Sequence, residues 1–310
     1  MITLKNIFMK IRNILFIIFT LGLISCGGNK TNRDKININS LLEESANNNL
    51  EISAESMNAI IESIPSPIEI AMVIKQSGTG FNEGLLNLQD NSSLYTTDQA
   101  KALSIGIYSG DLGYINIYEK TFLTVNYLNT IKKLADEINI GQFFDFATIR
   151  RLASNNDKMD SLIYLSTVNF NKMDAFLRSQ KRSNMSILMV TGTWTEGLYI
   201  ATQNFKESKN KETMEWIGYQ KIIIDQLLLG LSAYKNDSYF VKIITDMTRL
   251  KELYNSITVT YEYHEPQSVE VNGRLVIVDK STSKVNITPE QVGQICDLVE
   301  QIRTRLVKNL

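Results

Sequence analysis

The chain has 310 residues, of which 44% are hydrophobic and 21% are charged, and its formal net charge is −1. A net charge this close to zero gives no electrostatic basis for binding nucleic acid or an acidic membrane surface. The apolar content excludes a disordered chain, and the presence of only four prolines favours long helices. The composition therefore predicts a globular, mainly helical protein without a nucleic-acid partner.

The N-terminus carries the three-part pattern of a secretory signal. Three basic residues precede an apolar run from Ile14 to Ile24, which ends in small residues. The run is about eleven residues long, whereas a membrane-spanning helix needs about 20. We therefore expect residues 1–25 to be a signal peptide rather than a membrane span.

The stretch Leu23-Ile24-Ser25-Cys26 resembles the lipobox of bacterial lipoproteins. The resemblance implies that the sulfur of Cys26 receives a diacylglycerol, that the signal is cleaved before it, and that the new amino group is acylated, typically with palmitate. Two or more acyl chains hold a protein stably on a membrane, since each buried CH₂ contributes about 0.8 kcal/mol. The alternative is an ordinary cleaved signal that contains a cysteine.

The segment after Cys26 is polar and predicts a lipidated flexible tether over residues 26–40. Random-coil scaling gives it a reach of about 20 Å. In the well-studied enteric lipoproteins, an aspartate after the cysteine retains the protein at the inner membrane. No aspartate directly follows Cys26, where Gly27 stands, and this favours a location in the cell envelope at the outer membrane.

Residues 41–310 are predicted to form one helical domain. Pro65 ends the first helical region, and Ser66 followed by Pro67 predicts the N-cap and first residue of a short helix through Ile74. Further helices are predicted over residues 97–140, as two helices closed by Gly141, and over 145–153, 157–180, 184–206, 212–235 and 237–256. The short polar turns between them indicate an antiparallel helical bundle or a stacked helical array.

The pattern changes to β near the C-terminus. Residues 257–263 alternate as a strand does, and two β-rich runs flank Asn272-Gly273, a pair typical of a two-residue hairpin turn. A small β-hairpin insertion is therefore predicted at about 257–280. Thr288 with Gln291 predicts the capped start of a final helix, on which Cys296 lies among apolar residues as a buried structural thiol.

Established catalytic and metal-binding motifs are missing from the sequence. With one histidine, His264, and two cysteines, it cannot form a histidine or cysteine metal cluster, and it has no Gly-x-Ser-x-Gly elbow and no dinucleotide fingerprint. We therefore expect no metal and no cofactor. Paired carboxylates remain a possible catalytic device, although any protein with 33 acids offers such pairs.

Two stretches, Gly106 to Tyr118 and Thr191 to Tyr199, combine glycines, aromatic residues and an acid. Two interpretations stay open. The stretches could line a ligand pocket, with aromatic contact area and carboxylates that fix a cationic or hydroxylated ligand. They could equally be helix-crossing points, where glycines let backbones approach and buried tyrosines bond the acids. The candidate ligand-binding residues are Tyr108, Asp111, Tyr114, Trp194, Glu196 and Tyr199.

Together with Leu134 to Glu137 and Asn156 to Leu162, these stretches resemble a family of helical lipoproteins of unassigned function in Gram-negative bacteria. The resemblance spans Pro67 to Phe205 and implies a helical, lipid-anchored protein, without assigning any functional residue.

Anchor, tether, helical core and missing catalytic motifs together favour a non-enzymatic binding or assembly component of the cell envelope, which engages an envelope protein or a small ligand. One alternative is an envelope hydrolase that uses Asp111 and Glu196, which predicts the two carboxylates within about 10 Å of each other across an open cleft. Another is a purely structural envelope protein, which predicts a flat apolar patch without a cavity.

Overall fold

A computed structural model describes residues 54–153, 159–265, 267–271, 274–278 and 281–308. The predicted signal peptide at 1–25, the lipidation site Cys26, the tether at 26–40 and the first part of the helical domain lie outside the described residues. The same holds for the predicted turn at Asn272-Gly273.

The described chain is mainly α-helical, with a small β-hairpin before the last helix, and the predicted fold class is therefore confirmed. The helices are α1 (Ala54–Ser63), α2 (Pro67–Gln76), α3 (Asp98–Ile117), α4 (Thr121–Glu137), α5 (Phe146–Ala153), α6 (Met159–Ser179), α7 (Ser183–Ser208), α8 (Lys211–Ser232), α9 (Ser238–Tyr254) and α10 (Pro289–Lys308). The strands are β1 (Thr258–Glu262), β2 (Gln267–Val271), β3 (Arg274–Val278) and β4 (Thr282–Asn286).

Helices α3 and α7 form the centre of the molecule. Their backbones approach closely because each has a glycine at the crossing. A Cβ atom on Gly106 would lie 1.9 Å from the carbonyl oxygen of Met189, and one on Gly192 would lie 2.1 Å from that of Leu103. Helices α2 and α4 pack against α3, and helices α6, α8 and α10 pack against α7. The two glycine-rich stretches are therefore a helix crossing around which the fold is built.

Capping residues begin several helices where the sequence predicts them. Ser66 and Glu69 form a reciprocal capping box at the start of α2. Thr288 and Gln291 bond in the same way at α10, where the Gln291 N–H donates to Thr288 Oγ1 at 3.3 Å. The predicted division of residues 97–140 into two helices is confirmed, and Glu119 occupies the left-handed region at the break, with φ 61°.

The strands form one long antiparallel hairpin in two segments. β1 pairs with β4 at the base, and β2 pairs with β3 at the tip. Between the segments, Ser281 Oγ accepts from the His264 N–H at 3.0 Å and donates to the His264 carbonyl at 3.1 Å. Strand β4 was not predicted, because its sequence TSKVN is mostly polar. It forms because Val285 and Ile287 pack on α8, where Gly218 leaves room for them.

The thiol of Cys296 is buried in the core, as predicted. Its side chain has no solvent exposure, and its Sγ lies 3.6 Å from the Thr202 carbonyl oxygen. Burial raises the pKa of Cys296 to about 11. The thiol therefore stays protonated at neutral pH and serves as a small apolar group between α7 and α10.

Candidate functional site

A cavity of about 530 Å³ lies among helices α1 to α7, each of which contributes to its lining. Small-molecule sites typically have volumes of about 300 to 1,000 Å³. Most of the wall is hydrocarbon, contributed among others by Ile105, Leu112, Leu128, Phe146, Phe170 and Met189. The cavity therefore has the size and the lining of a site for a small apolar molecule.

Glycines on α3 fix the two helices that flank the cavity. A Cβ atom on Gly113 would lie 2.6 Å from the Pro67 carbonyl oxygen, so the start of α2 rests directly on α3. Gly106 does the same for α7, and both glycines line the cavity. Phe144 and Phe146 also line the cavity, and their rings stack with centroids 5.3 Å apart. The wall therefore combines close backbone contacts with a stacked aromatic pair.

Several polar side chains in the lining already have partners within the protein. Ser109 Oγ donates to a carbonyl oxygen of its own helix at 2.7 Å. Thr193 Oγ1 donates to the Gly106 carbonyl at 3.0 Å. The Glu69 carboxylate accepts the Ser66 N–H at 2.9 Å. These groups stabilise the helices and their crossing, and they add little free hydrogen-bonding capacity to the wall.

Asn169 on α6 differs from the other polar lining residues. It is 9% exposed, and its Nδ2 has no hydrogen-bond partner in the part of the chain that the structure describes. A buried polar group without a partner costs about 1 to 3 kcal/mol. The nitrogen itself has almost no accessible surface, so it is buried within the wall and does not face the cavity.

A second buried polar feature joins residues of α3, α7 and α10. The Arg303 guanidinium binds Glu196 with two bonds, from Nε to Oε2 at 3.0 Å and from Nη2 to Oε1 at 2.8 Å. Nη2 also donates to the Leu85 carbonyl at 3.1 Å. Glu196 and Asp111 have no solvent exposure, and Glu196 is close enough to Asp111 to raise its pKa. The structure therefore brings the two predicted acids together and adds an arginine to them.

The surroundings of Asp111 favour its protonated form. Burial, followed by the charge of Glu196, raises the pKa of Asp111 well above its usual range, and the opposing charge of Arg303 does not offset this. Asp111 Oδ2 accepts the Asn87 N–H at 3.2 Å, whereas Oδ1 has no donor. A proton on Asp111 would therefore lie on Oδ1, and it would leave the two carboxyl groups with one negative charge opposite one guanidinium.

The predicted aromatic residues divide between different surroundings. Tyr108 OH donates to the Leu88 carbonyl at 2.8 Å, and the Tyr199 ring lies 4.6 Å from Arg303 Cζ. Tyr108 and Tyr199 therefore lie next to the buried acids Asp111 and Glu196.

Tyr114 and Trp194 lie elsewhere. The Tyr114 hydroxyl accepts the Asn82 N–H at 3.0 Å, and Trp194 Nε1 donates to Gln220 Oε1 at 2.9 Å. Tyr108 and Tyr114 thus each bond a backbone group, whereas the two acids are bonded by Arg303 and Asn87. Within the described residues, none of the six predicted ligand-binding residues lines the cavity.

Sequence reasoning missed Arg303 and the cavity. Arg303 lies one turn after Val299, on the apolar face of α10, and a basic residue on a buried face is a signal that a charge partner exists. No sequence signal of this kind predicts the cavity, because its presence depends on the distances of α4 and α6 from α3.

Comparison of the chain with protein-family models, curated proteins and solved structures gives no match. The resemblances to lipoproteins therefore stay predictions from the residues that carry them. In the described ranges, no helix is both long and apolar enough to cross a bilayer, and no three His, Cys, Asp or Glu side chains are grouped as metal ligands.

Proposed function

We propose that this protein is a non-enzymatic component of the cell envelope, anchored by lipid on Cys26 at the outer membrane, that binds a small hydrophobic ligand. The cavity of about 530 Å³ among helices α1 to α7 carries the proposal. Its apolar walls favour a small ligand over an envelope protein as the bound partner, since a concave apolar site encloses a small molecule on most sides.

The geometry gives less support to the alternative functions. A hydrolase with Asp111 and Glu196 needs both carboxylates at an open cleft, whereas both have no solvent exposure and Glu196 is fully engaged by Arg303. A purely structural role does not require a cavity. Ligand binding is the function that accounts for it.

Ligand binding is tested with the neutral fluorescent probe N-phenyl-1-naphthylamine, titrated into the purified protein. We expect saturable fluorescence enhancement, because the probe is apolar and small enough for the cavity. Ser109→Phe, which places a ring on the cavity wall, should weaken the apparent affinity by about tenfold or more. Thr245→Phe, on the exposed face of α9, is the control and should bind as wild type does.

Failure of saturable binding by the wild-type protein would contradict the proposal. Equal binding by Ser109→Phe, in a variant that keeps the wild-type helical content by circular dichroism, would contradict the assignment of the site.

The anchor is tested separately by labelling cells with radioactive palmitate. Wild-type protein should incorporate the label and fractionate with the outer membrane, and Cys26→Ala should lose the label and accumulate as the precursor. Mass spectrometry of native protein that retains residues 1–25, or that carries an unmodified residue 26, would overturn this part.

A further inference from the structure

We infer that the cavity is a channel for one unbranched acyl chain, of the kind found in membrane lipids. This inference rests on the proposed ligand-binding function and adds the shape and the chemical class of the ligand. Three features of the described lining carry it: its extent along α3, its mean width, and the hydrocarbon that forms most of its wall.

The cavity is elongated along α3. Residues of this helix line it at four successive levels, at positions 105–106, 109, 112–113 and 116. From Ile105 to Asn116 the helix advances by about 16 Å, because its rise is about 1.5 Å per residue. The hydrocarbon core of a bilayer is about 30 Å thick, so the acyl chains of one leaflet cover about 15 Å. The cavity is therefore long enough for one membrane acyl chain.

A neighbouring helix is fixed near each end of this stretch. A Cβ atom on Gly106 would lie 1.9 Å from the Met189 carbonyl oxygen of α7, and one on Gly113 would lie 2.6 Å from the Pro67 carbonyl oxygen of α2. Both contacts are made by backbone atoms, which cannot rotate aside as side chains do. The elongated shape of the cavity is therefore built into the packing of the helices.

The cavity is also narrow. Its volume of about 530 Å³, spread over at least about 16 Å, gives a mean cross-section of at most about 32 Å². Apolar heavy atoms touch at about 4.0 to 4.5 Å, so one hydrocarbon chain needs about 20 Å² and two chains side by side need about 40 Å². The cavity therefore has room for one chain and not for two abreast.

The wall favours hydrocarbon over a chain that carries polar groups. Ser109, near the middle of the α3 stretch, already donates its hydroxyl to a carbonyl oxygen at 2.7 Å, and Thr193 does the same at 3.0 Å. A polar group inside the channel would lose its bonds to water without gaining these partners. A plain hydrocarbon chain loses no such bond, and each CH₂ that it buries strengthens binding by about fourfold.

An acyl chain can come from two sources with the same hydrocarbon. One source is a lipid of the surrounding membrane. The other is the lipid predicted on Cys26, because α1 begins at Ala54, not far along the chain, and its residues Ile61 and Ile64 line the cavity. The two sources differ only in whether the chain is attached covalently to the protein.

The width of the channel is tested with two isomeric alcohols, 1-dodecanol and 2-butyl-1-octanol, which compete with N-phenyl-1-naphthylamine for the wild-type protein. The isomers share a formula and a hydroxyl group, and they differ in whether the hydrocarbon is one chain or two. We expect 1-dodecanol to displace the probe at concentrations at least about tenfold lower, because the butyl branch cannot be buried beside the main chain. Equal displacement by the two isomers would overturn the single-chain channel.

The direction of the channel is tested with unbranched alcohols from 1-octanol to 1-tetradecanol. In wild type, each added CH₂ should lower the displacing concentration by about fourfold until the chain fills the cavity. Leu112→Trp places an indole ring partway along the α3 stretch, so this gain should end at a shorter chain. Thr245→Trp, on the exposed face of α9, is the matched control and should keep the wild-type limit. An unchanged limit in Leu112→Trp, with wild-type helical content, would overturn the placement of the chain along α3.

The source of the chain is identified in cells grown with a diazirine analogue of palmitate, which enters membrane lipids and lipid anchors alike. Irradiation should attach the label to peptides that contain Leu112 or Phe170, and the mass of the adduct shows whether it is a phospholipid or the acylated peptide that begins at Cys26. Label on exposed peptides alone would overturn occupancy by an acyl chain. These results leave the proposed function standing, whereas absence of probe binding to wild type refutes that function itself.

Discussion

At the scale of single residues, the protonation of Asp111 links folding to pH. Its pKa in the folded protein is raised above the ordinary value of 3.8 by burial and by Glu196. Between pH 3.8 and the higher pKa of the folded state, the unfolded chain releases this proton more readily than the folded protein does. The folded state then binds more protons, so its free energy of unfolding falls as pH rises towards the folded pKa.

We therefore expect Asp111→Asn to flatten this dependence. Asparagine has the shape of the protonated carboxyl and can accept from the Asn87 N–H, but it has no proton to lose. Relative to the variant, the free energy of unfolding of wild type should fall by up to about 1.4 kcal/mol per pH unit above the ordinary aspartate pKa of about 3.9. Urea denaturation at a series of pH values measures the two curves.

Asp98→Asn is the control for this comparison. It removes a carboxyl from the same helix at a half-exposed position that pairs with Arg182 at 3.0 Å. A difference between wild type and Asp111→Asn that stays constant with pH would contradict the protonated state of Asp111.

The bond between Arg303 and Glu196 should be strongly coupled. Arg303→Leu leaves Glu196 as a buried carboxylate without its partner, which we expect to cost about 3 to 5 kcal/mol in the free energy of unfolding. Adding Glu196→Gln removes that charge, so the double variant should be more stable than the sum of the single effects implies. A double-mutant cycle by urea denaturation measures the coupling. Additive effects would show that the two side chains do not interact as described.

At the scale of elements, the crossing of α3 and α7 leaves no space for a side chain at Gly106. A Cβ there would lie 1.9 Å from the Met189 carbonyl oxygen and 2.9 Å from the Thr193 nitrogen. Because the backbone atoms cannot move aside as a side chain can, Gly106→Ala should destabilise the protein by about 3 kcal/mol or more. Thermal unfolding measures the loss.

Gly293 gives the matched control, because it lies in α10 and a Cβ atom added there would have nothing within 4 Å. Gly293→Ala should raise the free energy of unfolding by up to about 1 kcal/mol, through helix propensity alone. Stabilisation of the protein by Gly106→Ala as well as by Gly293→Ala would contradict the close crossing.

Local sequence signals predicted the elements better than their spatial arrangement. Capping at Ser66 and Thr288 depends on atoms a few residues apart, and it was predicted from sequence and is confirmed. Strand β4 was missed, because its polar sequence becomes a strand only through pairing with β1 and packing on Gly218. Long-range contacts of this kind leave little trace in one short segment.

In the candidate site, too, local features were predicted from the sequence and long-range contacts were missed. Asp111 and Glu196 lie close together because glycines bring their helices together. Both glycine-rich stretches were recognised from the sequence. Arg303 arrives from the last helix, far along the chain from Glu196, and its partner cannot be identified from local pattern. Asn169 was not singled out, because an unpaired amide is visible only once its surroundings are known.

At the scale of the whole molecule, the β-hairpin divides into a supported base and a tip. Val285 of β4 and Ile287 just beyond it pack on α8, whereas β2 and β3 pair chiefly with each other. A two-stranded hairpin without further support is marginally stable in water. We expect amides of β2 and β3 to exchange hydrogen faster than those of β1 and β4, as measured by mass spectrometry.

Helix α7, at the centre of the fold, is the slow reference for that experiment. Protection of the tip equal to that of α7 would contradict the division, because it would place the tip in the same cooperative unit as the core.

The buried thiol on α10 also determines how the protein can be labelled. With no exposure and a pKa raised to about 11, Cys296 should not react with maleimide dyes while the protein is folded. In a chain that begins after Cys26, a cysteine introduced at an exposed position beside the cavity would then be the cysteine that reacts. Fluorophores could be attached there without replacing Cys296, and they would report ligand entry directly.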